Sequence, residues 1–134
     1  MDAEMLERVA QLARRVGYVF VATTDANKWP HMAAARTLTL KTDGRIEVDE
    51  WFCPGTMANL QANSHVSVVV WDANTDVGYQ LLGDMEQVMN VGMMDGYTSD
   101  MKSKRPLPQV KSQLVIRVSK ITDFKRAPHT DVEE

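Results

Sequence analysis

The stretch that decides the fold is His31–Asp49, HMAAARTLTLKTDGRIEVD. Its first part, His31–Lys41, alternates between two faces with the period of two that is typical of a β-strand. One face carries Met32, Ala34, Arg36, Leu38 and Leu40, and the other carries Ala33, Ala35, Thr37 and Thr39. Asp43-Gly44 then separates this run from Ile46 and Val48, and an Asp-Gly pair favours the positive φ angles of a tight hairpin turn. We therefore predict two antiparallel strands.

The chain on either side of this hairpin predicts two helices and further strands. An amphipathic helix is expected over Ala3–Val16, capped by Asp2 and ended by Gly17, and a short helix from Pro54 to about Asn63. The remaining predicted strands are Tyr18–Thr24, His65–Trp71, Val77 to about Val91 with a bulge at Gly83, and Ser112 to about Ile121. The segment Met93–Lys102 fits a helical face but contains Asp95-Gly96, so its state stays open.

Composition and pattern together predict a single, mainly β domain. A chain of 134 residues with 44% hydrophobic and 25% charged residues excludes disordered, collagen-like and multidomain classes. Six antiparallel strands at this spacing favour a small closed barrel with peripheral helices. We expect the domain to span residues 1–124 and a tail to span 125–134.

Cysteine content and charge narrow the location and the partners. One cysteine, Cys53, no basic and apolar leader and no long apolar run lead us to expect a cytoplasmic protein that does not enter a membrane. A formal charge of -3 disfavours nucleic-acid binding. The charges are segregated: Asp43–Asp100 holds ten acids and one base, and Lys102–Arg126 holds eight bases and one acid. These blocks are expected either to face solvent, or to face each other within the fold or across a subunit boundary.

The motifs of common side-chain catalysis are missing from the sequence. It contains no G-x-S-x-G, Walker A, G-x-G-x-x-G or H-E-x-x-H motif. His31, His65 and His129 lie far apart and show no metal-ligand spacing with Cys53, so we predict no metal site.

One corner of the chain has the chemistry of an anion site. The first amides of the helix that begins at Pro54 lack intrahelical partners, Gly55 allows close approach, and Thr56 adds a hydroxyl. Arg36 lies between apolar residues on its strand face and therefore needs a partner, either Asp49 or Glu50 nearby or a phosphate. We hypothesise that Arg36 and the helix amides meet one negatively charged ligand.

Several segments resemble the pyridoxamine 5′-phosphate oxidase-like superfamily of FMN-binding split barrels. They are the strand Val19–Thr23, the segment Pro30–Leu38, the Asp43-Gly44 hairpin, the helix from Pro54, the run Asn63–Val68, the strand with Gly83 and the strand Gln113–Val118. The resemblance covers nearly the whole chain. It implies a six-stranded antiparallel split barrel that forms a homodimer with two FMN molecules at the subunit interface.

The resemblance also implies roles for particular residues. In the family, the strand that corresponds to Arg36, Thr37, Leu38 and Thr39 contacts the flavin and its phosphate, and the start of the short helix binds phosphate, here at Gly55 and Thr56. Many members carry a serine and a base there, where this chain has Pro54 and Thr56. The positive charge is then expected from Arg36, from the helix amides, or from Lys104 and Arg105. Trp51 is a candidate to stack on the flavin ring, and packing is an equally open reading of it.

The expected function is that of an FMN-dependent oxidoreductase or electron-transfer protein with a small substrate. Absence of a side-chain catalytic constellation agrees with this, since the flavin carries the reactivity. One alternative is a dimeric binding or regulatory module that has lost FMN or binds another cofactor such as haem. The other is a structural dimer held together by the opposed charge blocks.

Overall fold

The computed structural model describes residues 2–51, 54–93 and 110–128, and within them the chain forms two helices and seven strands. In chain order these are α1 (Ala3–Val16), β1 (Val19–Thr24), β2 (Pro30–Ala35), β3 (Thr37–Leu40), β4 (Arg45–Trp51), α2 (Pro54–Ala62), β5 (His65–Asp72), β6 (Val77–Met93) and β7 (Val110–Asp123). The strands form one antiparallel sheet in the order β2-β1-β5-β6-β7-β4-β3. The mainly β prediction is confirmed, with seven strands in place of six.

The additional strand arises because the predicted run His31–Lys41 is broken at Arg36. Its first half, β2, pairs with β1, and its second half, β3, pairs with β4 at the opposite end of the sheet. At the break, the backbone N–H of Arg36 donates to the carbonyl oxygen of Asp49 at 2.8 Å. The prediction of one straight strand is therefore wrong, and so is that of a closed ring of strands. The sheet has two edge strands, β2 and β3, and Arg36 is the single residue that connects them along the chain.

The hairpin at Asp43-Gly44 is confirmed. Asp43 has φ 58° and Gly44 has φ 76°, the pair of positive angles that a primed turn requires. Leu40 and Ile46 are register partners next to the turn, so β3 and β4 pair in the register that the sequence pattern requires. This register places Leu38 opposite Val48, and both side chains are buried.

Helix α1 begins and ends at the predicted residues. The Asp2 side chain accepts the N–H of Glu4 at 2.9 Å, and Gly17 adopts φ 95° while its N–H donates to Ala13. One face of the helix is buried against the sheet, through Leu6, Val9, Ala10, Leu12 and Ala13. The helix packs on β3 and β5, which lie in different parts of the strand order.

Strands β6 and β7 extend beyond their predicted limits and carry irregularities. The register shifts between Leu82 and Gly83, as the glycine predicted, and again between Met85 and Gln87. A Cβ at Gly83 would lie 2.2 Å from the carbonyl oxygen of Arg117, so only glycine allows β7 to approach this closely. The sequence left the secondary structure of Met93–Lys102 undecided, and all of this segment after Met93 lies outside the described residues.

The core lies between the inward face of the sheet and the helices. Its most deeply buried side chains include Val9, Val19, Val21, Ile46, Val48, Val68, Val70, Leu81, Leu114 and Ile116. Val19 and Val21 are followed on the same face by Thr23, a buried polar residue, at the point where α2 meets β1. The candidate site begins at Thr23, where this otherwise apolar face of β1 becomes polar.

Candidate functional site

The start of α2 lies beside the first residues of β2. The helix begins at Pro54, whose missing N–H costs nothing at a helix start, and Gly55 is exposed in its first turn. A Cβ placed on Gly55 would lie 3.4 Å from both Cε1 and Nε2 of His31. The imidazole and the first turn of α2 therefore lie side by side, and we call the space that the missing Cβ leaves between them the cleft.

A polar seam fixes α2 in this position. The Asn59 side-chain amide donates to the hydroxyl of Thr23 on β1 at 3.0 Å, and both residues are buried. Thr23 and His31 are register partners on β1 and β2, so their side chains lie on the same face of this pair. The sequence therefore positions His31 at the helix through the β1–β2 register and one buried hydrogen bond.

Thr56 follows Gly55 in the first turn of α2 and is fully buried, with 0% exposure. Within the described part of the chain, its Oγ1 has no hydrogen-bond partner. A buried hydroxyl without a partner is uncommon, because losing water costs about 1–3 kcal/mol unless another polar group replaces it. The start of α2 thus combines amides without intrahelical partners, an open glycine and an unsatisfied hydroxyl.

Arg36 and its neighbours form a second location. The side chains of Arg36, Thr37 and Thr39 are exposed, whereas Leu38 is buried in the core. Arg36, Thr37 and Leu38 line a cavity of about 360 Å³, whose opposite wall is the end of α1 with Ala13, Arg14 and Gly17. Two arginines, Arg36 and Arg14, therefore line this cavity, next to a helix end that carries partial negative charge.

The two locations lie at opposite ends of β2. His31 and Arg36 are five residues apart in an extended segment, which corresponds to about 16 Å of strand. The hypothesis that Arg36 and the α2 amides meet one shared anion stays a prediction. At this backbone separation, the two locations could also bind different parts of one ligand.

Three of the residues singled out from the sequence fall outside what the structure describes. Lys104 and Arg105 lie outside the described residues, and so does Cys53. Trp51 ends β4, where its backbone pairs with Lys111, but its side chain is outside the described part. Their contacts with a cofactor therefore stay predictions.

His31 was missed as a member of the site, because sequence spacing alone linked it to nothing. The signal that could have found it is the β1–β2 hairpin. Pro30 lies opposite Thr24 and His31 opposite Thr23, which places the histidine on the face that also carries the polar end of the core. Pairing that register with a glycine at the start of a helix would have indicated a cleft.

The electrostatics of the cleft come from dipoles rather than from ionised groups on α2. The helix carries no Asp, Glu, Lys or Arg in its sequence PGTMANLQA. Three carboxylates among the described residues have a lowered pKa. Hydrogen bonds from the Asn74 N–H to Asp72, from the Arg126 N–H to Asp76 and from the Arg45 side chain to Glu86 are the main causes. All three lie on β5, β6 or the turn between them, so they do not set the charge at α2.

Metal and membrane features can be assessed for the same residues. Across 2–51, 54–93 and 110–128, no three His, Cys, Asp or Glu side chains come close enough together to hold a metal ion. Neither α1 nor α2 has the length and apolar character that crossing a bilayer requires.

Comparison with solved structures shows the same fold in several bacterial proteins. An FMN-binding protein from Syntrophomonas wolfei has a TM-score of 0.66 at 21% identity, over 95% of this chain and 90% of that one. HupZ from Group A Streptococcus has a TM-score of 0.65 at 20% identity, over 94% and 97%. A protein from Clostridium acetobutylicum related to general stress protein 26 has a TM-score of 0.61 at 18% identity, over 94% and 92%.

Comparison of the sequence with protein-family models gives the family. No curated protein matches this chain. The model described as pyridoxamine 5′-phosphate oxidase matches residues 5–123, which include every described strand, α2 and all but the first two residues of α1. The chain therefore belongs to the pyridoxamine 5′-phosphate oxidase family, and its sheet is a split barrel of that family's type.

Proposed function

We propose that this protein binds FMN without a covalent bond and acts as an oxidoreductase or electron-transfer protein on a small substrate. The observation that carries the proposal is the start of α2, where the buried Thr56 hydroxyl, beside the exposed Gly55, has no partner among the described residues. Such a group fits a ligand rich in hydrogen-bonding oxygens, as a phosphate ester is. Family membership and the fold shared with an FMN-binding protein from Syntrophomonas wolfei support the choice of FMN.

The residues divide into two groups by position. Gly55 and Thr56 would hold the phosphate with their backbone amides, with His31 at the edge of the cleft. At the other end of β2, Arg36 with Thr37, Leu38 and Thr39 would contact another part of the cofactor, or the cofactor bound mainly by a second subunit. Trp51, Lys104 and Arg105 keep the ring-stacking and charge-supplying roles that the family resemblance implies.

FMN, when bound, supplies the transfer of hydride or single electrons. The chain would then need to bind, orient and shield the cofactor, which requires no nucleophile or acid–base pair of its own. The proposal includes a homodimer with the cofactor at the subunit interface and a location in the cytoplasm.

The test is the absorption spectrum of the freshly purified protein, followed by titration with FMN. We expect a yellow protein, or saturable quenching of flavin fluorescence when FMN is added. Replacing Arg36 with Ala should weaken FMN binding by about tenfold or more, the effect of one charge-assisted hydrogen bond. The matched control is Arg8→Ala, which removes an exposed arginine of α1 that contacts only the Met5 sulfur in the described hydrogen bonds. A colourless protein that leaves millimolar FMN fully fluorescent contradicts the proposal.

A second candidate is a dimeric binding or regulatory module that has lost FMN or holds another cofactor such as haem. The observation in its favour is the uncharged α2, because this chain has Pro54 and Thr56 where many family members have a serine and a base. The same spectrum separates the two functions. Flavin gives bands in the blue and near-ultraviolet, haem gives an intense Soret band, and a module without a cofactor gives only the protein band.

A further inference from the structure

A second cavity, of about 430 Å³, lies on the outward face of the four central strands. Its floor is a lateral row in which Ala22 pairs with Ser67, Ser67 with Leu82 and Leu82 with Lys120. The neighbouring positions Val21, Val68 and Leu81 are buried in the core, so the row points away from it. The volume falls in the range of about 300–1,000 Å³ that is usual for sites of small ligands.

The concave shape comes from the bulge at Gly83. Leu82 pairs with Lys120 and Gly83 with Val118, which leaves Ser119 as an extra residue on β7. A bulge bends its strand and increases the local twist, and here it hollows the sheet surface beside Leu82. Ser119 and Gly83 both line the cavity, so the depression is built into the pairing of β6 with β7.

A histidine–aspartate pair lines one side of the cavity. His65 and Asp84 are register partners on β5 and β6, and Nδ1 of His65 lies 2.6 Å from Oδ1 of Asp84. The Ser64 hydroxyl donates to the same oxygen at 3.1 Å. Since a carboxylate only accepts, Nδ1 of His65 carries the proton of this bond, and Nε2 is the ring nitrogen left to meet a ligand.

Lys120 supplies a positive charge on the other side. It lies across the Leu82 row from Ser67, whose hydroxyl accepts the Gln80 amide at 2.8 Å. The cavity is therefore lined by a lysine at one side and by a hydrogen-bonded histidine at the other, with Ala22, Ser67 and Leu82 between them. The Asp84 carboxylate keeps its negative charge and accepts hydrogen bonds from His65 and Ser64, on the side of the cavity opposite Lys120.

The cavity meets the surroundings of α2 at Thr23, which lines the cavity while its hydroxyl accepts from Asn59 of α2. Among the described residues, neither His31 nor any residue of α2 lines the cavity. The residues assigned to FMN in the previous section do not line it.

We propose that this cavity binds a small, flat organic anion that also carries a hydroxyl or N–H donor. Lys120 pairs with the anionic group, Nε2 of His65 accepts from the donor, and Ala22 and Leu82 contact the flat face. The site goes beyond the proposed function, because it needs no flavin for binding.

Titration of the full-length protein with three related probes, followed by amide chemical shifts in NMR, tests this site. The probes are 4-hydroxybenzoate, which has both groups, benzoate, which lacks the donor, and 4-hydroxybenzamide, which lacks the charge. We expect 4-hydroxybenzoate to bind most tightly and to shift the amides of Ser67, Leu82 and Lys120. Each missing group should weaken binding by about fivefold, the effect of one exposed polar contact.

Two variants assign the contacts to their residues. Lys120→Gln should abolish the preference for 4-hydroxybenzoate over the benzamide, and His65→Gln should abolish its preference over benzoate. Lys125→Gln is the matched control, because Lys125 is a lysine beyond the end of β7 that does not line the cavity. Unchanged preferences in both variants, or shifts confined to other strands, overturn the proposal.

The titration is repeated with saturating FMN. Binding of 4-hydroxybenzoate that is equal with and without FMN supports a separate site, even if FMN itself fails to bind. Competition between the two overturns the separate site, because it would make the cavity part of the flavin site. If the protein sediments as a dimer and 4-hydroxybenzoate does not bind at all, the proposed site is also overturned, because the subunit interface would then cover the cavity.

Discussion

At the scale of single residues, a substitution at Thr56 is expected to change the stability of the protein and its affinity for FMN in opposite directions. The buried Thr56 hydroxyl has no partner in residues 2–51, 54–93 and 110–128, so the isosteric Val removes an unsatisfied polar group and breaks no hydrogen bond seen there. We expect Thr56→Val to raise the unfolding free energy of the ligand-free protein by about 1 kcal/mol. The same change should weaken FMN binding if the hydroxyl meets the cofactor. Urea unfolding and FMN titration measure the two effects separately.

Thr23→Val is the matched control for this substitution. It also converts a buried threonine into valine, but its hydroxyl accepts the Asn59 amide at 3.0 Å. We expect a loss of about 1–2 kcal/mol, because the amide is left unsatisfied in the interior. Equal losses in the two variants would mean that the Thr56 hydroxyl has a partner in solution.

The glycines at positions 55 and 83 should respond in opposite ways to alanine. At Gly83 a Cβ would lie 2.2 Å from a backbone oxygen of β7, so the strands must separate, and we expect Gly83→Ala to cost about 2 kcal/mol or more. At Gly55 the Cβ would lie 3.4 Å from the movable His31 ring, and alanine favours a helix by about 0.5–1 kcal/mol. Thermal unfolding compares the two variants. A neutral Gly83→Ala would contradict the close approach of β7.

At the scale of elements, the second bulge of β6 places the Glu86 carboxylate between two arginines of neighbouring strands. Arg45 on β4 and Arg117 on β7 are register partners, and Glu86 lies in the bulge between Met85 and Gln87. Its two carboxylate oxygens accept from Nε of Arg45 at 2.6 Å and from Nε of Arg117 at 2.8 Å. The bulge therefore supplies the carboxylate that allows two arginines to face each other across a strand pair.

This ion network makes the fold sensitive to acid. The Arg45 hydrogen bond, followed by that of Arg117, lowers the pKa of Glu86 from its ordinary value of 4.5. A group with a lowered folded pKa stabilises the fold above its unfolded pKa, and this contribution is lost as the pH falls through the folded value. We expect Glu86→Gln to be less stable than the native chain near neutral pH. The difference should shrink as the pH drops below 4.5, as followed by urea midpoints. A difference that does not change with pH would assign the loss to packing.

The elements also show how far the sequence alone could lead. Three features could be predicted because each depends on a few neighbouring residues, whose backbone angles or close contacts favour particular residue types. They are the Asp43-Gly44 turn, the caps of α1 and the Gly83 bulge. The break at Arg36 could not be predicted, since alternation continues through it and the change of partner strand is a property of the whole sheet. For the same reason the helix amides and Arg36 could each be found, but not the length of β2 that separates them.

At the scale of the whole molecule, the two charge blocks meet within one chain. The acidic block contains β6 and the basic block contains β7, and the two strands pair antiparallel along their length. Glu86 therefore contacts Arg117, and Asp76 accepts the backbone N–H of Arg126 at 2.8 Å with that arginine's guanidinium 4.0 Å away. The expectation that the blocks face each other in the fold is confirmed for these residues. The hypothesis of a structural dimer held together by the two charge blocks is therefore weakened, because these charges already pair within one chain.

It follows that the proposed homodimer should resist salt. Raising the salt from about 0.1 M to about 1 M shortens the Debye length from about 10 Å to about 3 Å, which weakens exposed ion pairs between subunits but leaves apolar contacts intact. We expect the sedimentation coefficient to be the same at both concentrations, because the described charge pairs lie within a chain. The Arg45–Glu86–Arg117 network gives an internal control, since salt should narrow the stability difference between the native chain and Glu86→Gln. Dissociation at high salt would place ion pairs at the subunit boundary after all, and a monomer at both concentrations would contradict the homodimer.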